Sequence, residues 1–332
     1  MDNRSAVQSA RNAPGRISAV AIGRNEGDRL RSCLLSLMQR TFPVLYVDSG
    51  STDGSVEMAR DLGVEVITLD MSVPFTAARA RNAGYARVQA LDPNGAYVQF
   101  IDGDCDLDSD WLATARAALE AEPYLAVVCG RRREKHPNAS LWNHLVDLEW
   151  DSPIGDVKAC GGDALIRRIA LDAVGGYRED FIAGEEPEMC FRMRAKGWRI
   201  RRIAAEMTRH DAAMTHISQW WQRCRRAGHT YAEGVAVHGQ SPERYRLNEL
   251  RRALIWGLGL PLGGLIGTLI LSPVMLLLLL AYPLQILRLH RRCSDWGQAT
   301  FLVLSKFAET QGVLGYWWER IFGRRQTLIE YK

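Results

Sequence analysis

Val98-Gln-Phe-Ile-Asp-Gly-Asp104 decides the reading of this chain. A mostly apolar run with strand character ends abruptly in two acids separated by one glycine. Strands buried on both faces belong to the interior of a sheet, and in open α/β folds ligands bind at the carboxyl edge, where such a strand ends. Two carboxylates at that edge suit a hard divalent cation, whose remaining ligands are commonly phosphate and water. An isolated D-x-D is otherwise an ordinary acidic turn, so its meaning depends on what surrounds it.

The surroundings alternate. Ile17 to Ile22, Val44 to Asp48, Val64 to Leu69, Ala96 to Ile101 and Leu125 to Cys129 read as strands. Glu26 to Leu37, Ser55 to Leu62, Phe75 to Leu91 and Trp111 to Glu120 carry helical spacing, with a cap expected near Thr52-Asp53. Strand–helix alternation at this period predicts a mostly parallel central sheet with helices on both faces. From Glu134 to His210 the pattern is less regular. A loop over the site is expected from Asp147 to Gly162, and helices from Ile169 to Val174 and from Glu186 to Lys196.

The 332 residues allow one large domain with appendages, and a hydrophobic content of 47% with 24% charged residues places the chain among globular proteins. The net charge is +4, but basic residues gather at Arg131 to Lys135, Arg192 to Arg202, Arg223 to Arg226 and beyond Arg288. These clusters point to phosphate ligands and an anionic membrane surface. No recognition motif for nucleic acid accompanies them, so nucleic acid is not expected as a partner. Seven scattered cysteines without C-x-x-C fit a reducing cytosol, not a disulfide framework or a zinc site. Residues 1–15 are polar and are expected to be disordered.

Ala253 to Leu287 holds no charged residue. The apolar stretch 253–289 exceeds the ~20 residues of one membrane span. It is broken by Pro261, Pro273 and Pro283 and flanked by arginines at both ends. If positive charge marks the cytoplasmic side, both ends face it, as a two-pass hairpin or a re-entrant pair allows. The segment from Asp295 to Gly323, with Trp317, Trp318 and Arg320, would then follow the interface. The expected organisation is a catalytic domain over 16–235 and a membrane-associated helical region over 236–332.

Several local patterns carry chemistry. Asn25-Glu26 closes the first strand, and Asp48-Ser-Gly-Ser-Thr-Asp-Gly54 closes the second, where Asp48 is placed to accept hydrogen bonds from a nucleotide. Arg81, in Ala80-Arg-Asn-Ala-Gly84, is placed to reach a phosphate. Asp102-Gly-Asp104 follows, then Gly161-Gly-Asp163 and Val174-Gly-Gly-Tyr177. Gly184-Glu-Glu-Pro-Glu188 opens a helix with acids that complement its amino end.

Taken in order, these motifs resemble the inverting family-2 glycosyltransferases of GT-A fold, in particular membrane-associated ones of the bacterial exopolysaccharide and glycan type. The resemblance covers about Ile17 to Gly234. It implies a nucleotide-diphospho-sugar transferase fold with a C-terminal helical membrane segment, at the cytoplasmic face of the inner (plasma) membrane. By position it implies that Asn25, Glu26 and Asp48 hold the nucleoside and Arg81 the diphosphate. Asp102 and Asp104 would hold Mg²⁺ or Mn²⁺, with Asp102 also near the ribose and His210 as a further ligand. Gly162 and Asp163 would line the acceptor side. Glu186 stands at the catalytic base, with Glu185 as the alternative where the family usually has Asp. Arg223 and Arg226 would touch the diphosphate or the membrane surface. The family's processive Q-x-x-R-W is absent: Gln222 stands three residues after Gln219, and no Trp follows Arg223. The resemblance therefore implies transfer of single sugars from a nucleotide-sugar donor to a glycan or lipid-linked acceptor. Transfer to a polyprenyl phosphate, or a non-catalytic membrane adaptor, are the alternatives.

Overall fold

The computed structural model describes residues 15–323. The expectation for 1–15 therefore falls almost wholly outside the described residues. The chain divides into two compact units, residues 15–136 with 149–212, and 137–148 with 213–323. The helix Ile217–His238 belongs to the second unit.

The first unit is built on a nine-stranded sheet. Its strands are β1 (Ile17–Gly23), β2 (Val44–Asp48), β3 (Glu65–Thr68), β4 (Tyr97–Asp102), β5 (Cys105–Leu107), β6 (Leu125–Glu134), β7 (Gly155–Asp156), β8 (Ala164–Arg167) and β9 (Arg199–His210). Their order is β3-β2-β1-β4-β8-β6-β9-β5, with β7 on β9. The block β3-β2-β1-β4 is parallel, as its strand–helix alternation predicts. Beyond β4 the sheet is mixed: β8 runs antiparallel to β4 and β6, and β5 and β7 run antiparallel to β9. The expectation of a mostly parallel sheet is corrected there. Short strands reached by loops instead of helical crossovers are free to reverse direction.

β1 and β4 are buried almost throughout, so their carboxyl ends deliver Asn25 and the Asp102-Gly-Asp104 turn to one edge. Helix α1 (Asp28–Met38) buries Leu30, Cys33, Leu34 and Leu37 at i, i+3, i+4, i+7 spacing. Helix α2 (Ser55–Asp61) starts where Asp53 accepts a bond from the Ser55 amide at 3.0 Å. Helix α3 (Ala77–Leu91) is capped by Thr76, whose hydroxyl accepts from the Arg79 amide. It lies so close to the sheet that a Cβ on Gly84 would sit 2.4 Å from Val20. Helix α4 is Trp111–Ala121. α5 (Leu141–Trp150) lies in the second unit up to Leu148, with its last two residues in the first, and runs through residues 147–150, where a loop was expected. Helices α6 (Arg168–Val174) and α7 (Glu185–Ala195) complete this unit.

The second unit is helical. α8 (Ile217–His238) and α12 (Trp296–Ile321) approach backbone to backbone: a Cβ on Gly228 would meet the Glu309 carbonyl, and one on Gly312 the Arg225 carbonyl. Trp142, Trp220 and Phe301 form an aromatic cluster. α9 (Leu247–Leu254) continues through a π-helical turn, Ile255–Gly259, into α10 (Leu260–Ile270). After Leu271-Ser272 the chain returns as a 3₁₀ segment, Pro273–Leu280, and α11 (Ala281–Cys293).

Candidate active site

The carboxyl ends of β1, β2 and β4 set one side of the site. At the β2 end, Asp48 is 1% exposed. It accepts from the Tyr46 hydroxyl at 2.9 Å and from the Gly50 and Ser51 amides at 2.9 and 3.0 Å. The same turn is clipped to the β1 end: Asn25 accepts from the Thr52 amide and donates its own amide to the Ser51 hydroxyl, both at 2.8 Å. Glu26 pairs with Arg29 at 2.8 Å. Asn25 and Asp48 therefore shape the two turns that face this edge.

The centre is Arg81 on α3. Its guanidinium is 3% exposed and meets three carboxylates: Glu185 at 2.6 Å, Asp102 at 2.9 Å and Glu186 at 3.0 Å. Burial by itself would lower its pKa, but Glu186, Asp102 and Glu185 more than offset this and hold it well above the ordinary value. The next residue, Asn82, accepts from the Tyr177 amide at 2.9 Å and donates to its carbonyl at 2.8 Å. It thereby pins the Val174 to Tyr177 turn, and the Tyr177 ring lies 5.6 Å from the Arg81 guanidinium.

Glu185 and Glu186 open α7 behind Gly184, which is left-handed at φ 75°. Glu185 is buried, whereas the Glu186 side chain keeps 14% of its surface. Desolvation and the neighbouring Glu185 push the Glu186 pKa up to about 7, against the opposing pull of Arg81. A carboxyl with that value is poised to take up a proton near neutrality.

A second guanidinium braces the other side of Asp102. Arg132, on β6, meets Asp163 at 2.8 Å and Asp102 at 3.6 Å. Asp163 is fully buried; it accepts from the Asp102 amide at 3.0 Å and from the Thr208 hydroxyl at 2.7 Å. Gly162 fits against this group only because it lacks a side chain: its Cβ would lie 2.6 Å from Asp102 Oδ2 and 2.7 Å from an Arg81 Nη. Gly162→Ala is expected to cost about 1–3 kcal/mol through overpacking, measured by urea unfolding.

Asp104 is 2% exposed and lies 3.2 Å from His210 Nε2, across the β5–β9 pairing. Burial, with a contribution from Arg132, lowers the His210 pKa to about 4, so its ring is neutral at pH 7. A carboxylate oxygen and a neutral imidazole nitrogen side by side are a donor set that Mn²⁺ or Mg²⁺ accepts. Around Arg81, Arg132 and the neutral His210 ring stand the carboxylates of Asp102, Asp104, Asp163, Glu185 and Glu186, an acidic excess that suits a cation. Cys105 is adjacent and fully buried, with its thiol pKa raised by that burial; it is packing, not a nucleophile.

Trp150 touches both halves of this acidic site. Its ring lies 5.5 Å from the Arg132 guanidinium and packs edge-on against His210 at 4.7 Å. Trp150→Ala is expected to weaken Mn²⁺ binding by roughly 10–100-fold, with partial recovery in Trp150→Phe, read by calorimetric titration.

Sequence reasoning singled out Asp102, Asp104, Asp163, Glu185, Glu186, Arg81, Gly162 and His210, and the structure places all of these in the first unit. Arg81 joins Asp102 to Glu186, Arg132 joins Asp102 to Asp163, and His210 joins Asp104. Arg223 and Arg226 lie on α8 of the second unit. Thr208 and Trp150 were not foreseen, and Arg132 and Asn82 were named only as members of a basic cluster and of the Arg81 motif. A usable signal existed for Arg132: charged residues extending an apolar strand, in Val127-Val-Cys-Gly-Arg-Arg132, mark a strand that runs on past the core.

Part of the chain is similar to known glycosyltransferases. Residues 18–171 match the family model described as Glycosyl transferase family 2. The glycosyltransferase AglE of Haloferax volcanii is 24% identical over 173 residues, 48% of this chain and 55% of that protein. The succinoglycan biosynthesis protein ExoA of Rhizobium meliloti is 30% identical over 184 residues, 52% and 54% of the two chains. The chain thus spans about half the length of the curated relatives it matches. Among solved structures, the mannosyltransferase PcManGT from Pyrobaculum calidifontis, in complex with GDP-Man and Mn²⁺, superposes with a TM-score of 0.61 at 17% identity, covering 96% of this chain and 94% of that one. The shared architecture is the GT-A fold.

Proposed function

We propose that this chain is an inverting glycosyltransferase that moves a sugar from a nucleotide-sugar donor to a hydroxyl of a lipid-linked or membrane-proximal glycan. One observation carries the reading: a single buried guanidinium, Arg81, is within 3.0 Å of both Asp102, at the donor-side acidic turn, and Glu186, the candidate base. On this reading the donor-side acids and the proton acceptor belong to one ion-pair network. The GDP-Man and Mn²⁺ held by PcManGT support the donor class and the cation. The name of ExoA, and two long apolar helical segments, Leu247–Ile270 and Pro273–Cys293, support a glycan acceptor at a membrane. On this reading the active site faces the cytoplasm.

In the proposed mechanism the turns ordered by Asn25, Glu26 and Asp48 receive the nucleoside. Asp104 and His210, with Asp102, are the residues that would hold Mg²⁺ or Mn²⁺. Such an ion, when bound, neutralises charge on the diphosphate as it departs. Arg81 keeps Asp102 and Glu186 in fixed relation and lowers the cost of grouping their charges. Arg132 and Asp163 hold Asp102 from the other side. Glu186 takes the proton of the acceptor hydroxyl as that oxygen attacks the anomeric carbon, and a single displacement inverts the configuration. Glu185, more deeply buried and closest to Arg81, tunes its neighbour.

A panel of nucleotide-sugars screened by thermal unfolding with and without Mn²⁺ tests the donor class. A true donor at 100 times its Kd is expected to stabilise the fold by about 2.7 kcal/mol. If no nucleotide-sugar raises the melting temperature in the presence of Mn²⁺, the proposal fails. Analysis of the product linkage then separates a glycan hydroxyl from a lipid phosphate as acceptor.

A further inference from the structure

The two apolar helical segments, Leu247–Ile270 and Pro273–Cys293, form a hairpin with its turn at Leu271-Ser272. Their large side chains face outward: Leu265, Leu269, Ile270, Leu271, Val274 and Leu277 are all 55% exposed or more. Water does not tolerate such a surface on a lone chain. The occupant to which the surface commits is a bilayer with anionic headgroups. Arg251 and Arg252 before the hairpin, and Arg288, Arg291 and Arg292 after it, supply the complementary charge at its base.

The question is how deep it goes. Anchoring features occur at the base alone. Trp256 and Tyr282 lie there in edge contact at 5.9 Å, and the Tyr282 hydroxyl donates to the Trp256 carbonyl. At the tip, Thr268 to Met275 contains no charge, no Trp and no Tyr. A segment emerging on a far side is normally marked by such residues.

Length gives the same answer. From Trp256 to Leu271 the helical rise amounts to about 22 Å. On the return, the 3₁₀ segment and the first turn of α11 to Tyr282 amount to about 19 Å. Both fall short of the ~30 Å hydrocarbon thickness, and any tilt shortens the reach. Counted from Arg252, the reach is about 28 Å, against the ~40–45 Å between opposite headgroup surfaces.

The tip is also built for a place without water. The amides of Leu271 and Ser272 both donate to the Gly267 carbonyl, at 2.8 and 3.1 Å. Ser272 accepts from the Val274 amide at 3.3 Å, the Met275 amide donates to the Ser272 carbonyl, and the Thr268 hydroxyl donates to the Gly264 carbonyl at 2.7 Å. This internal pairing satisfies the amides at the tip, as a turn placed in hydrocarbon requires.

We infer that residues 253–287 form a re-entrant hairpin: both legs pass through one membrane face, and the tip Leu269–Pro273 ends inside the hydrocarbon. This rests on the membrane-attached reading above and resolves which of the two arrangements allowed by the flanking arginines is used.

The test uses the full chain with Cys224 and Cys293 changed to Ser, and single cysteines added as Leu269→Cys, Leu271→Cys or, at the base, Ser294→Cys. Membranes are treated with a membrane-impermeant maleimide in spheroplasts and in sealed inside-out vesicles. Ser294→Cys is expected to react from one face only. Leu269→Cys and Leu271→Cys are expected to resist labelling from both faces and to react once detergent is added. Labelling of the tip from the face opposite Ser294 would mean a full two-pass span, and labelling from the same face a hairpin lying on the surface; either overturns the inference. Alkaline carbonate extraction keeps the two readings apart. A chain that washes off refutes attachment itself, while a chain that stays with a labelled tip refutes only the re-entrant geometry.

Discussion

Glu186→Gln is expected to lower turnover by about 10²–10⁴-fold, the usual worth of a positioned general base, while donor affinity stays near its starting value. The substitution preserves shape and leaves an oxygen able to accept from Arg81, which now sits 3.0 Å away. It removes the one property the mechanism needs, a carboxylate free to take a proton. A split result, with the rate gone and donor-induced thermal stabilisation intact, separates a missing base from a collapsed site. Near-normal turnover would move the role to Glu185, whose contact with Arg81 at 2.6 Å and deeper burial make it the poorer candidate.

The same residue sets a pH dependence with a defined sign. A base must be ionised to work, so kcat/KM is expected to rise as pH passes through about 7, the value to which burial and Glu185 push Glu186. Stability runs the other way. The folded pKa lies above the unfolded one, so the folded state holds the proton more tightly. Its contribution is fully present below the unfolded value and is lost as pH rises through about 7. Glu186→Gln, which cannot ionise, is therefore expected to melt at a higher temperature than the parent at pH 8 and to differ little at pH 5. Gain of stability with loss of rate is the mark of a charge kept buried for function.

What could be read beforehand follows from where the information lies. The parallel block was legible because β1, β2 and β4 are continuous apolar runs and the helices between them carry a clean period. The acidic turn was legible because it directly follows such a run. β9 was not: its burial alternates only in part, Arg199, Arg201, Arg202 and Arg209 hide the pattern, and Arg199, Arg201 and Arg202 find partners such as Glu122, Asp151 and Asp156 that no local window reveals. Missing β9 meant missing Thr208, and reading 147–150 as loop meant missing Trp150 as the last residue of α5. Arg132 depends on β6 and β8 pairing out of sequence order, a non-local fact. The residues named in advance were those with chemistry written in their own segment; those missed act through residues far along the chain.

Asp104 offers the sharpest test of the acidic site. Asp104→Ala is expected to abolish Mn²⁺ binding measurable by calorimetric titration and to reduce transfer on the order of 10³-fold, since a bound cation contributes several kcal/mol of charge stabilisation and each ~1.4 kcal/mol is a factor of ten. The physical case is local. Asp104 is almost wholly buried, with the neutral ring of His210 at 3.2 Å. A carboxylate oxygen and an imidazole nitrogen this close offer two ligand atoms to one divalent ion. On this argument the parent protein should gain melting temperature on addition of Mn²⁺, and Asp104→Ala should not respond. Asp104→Asn provides the shape control: it keeps the volume and a neutral oxygen, so a loss of Mn²⁺ response in both variants at preserved folding assigns the effect to charge. An Asp104→Ala protein that still binds Mn²⁺ with parental affinity would remove Asp104 from the cation site and leave the Asp102 side, braced by Arg132 and Asp163, as the group to examine.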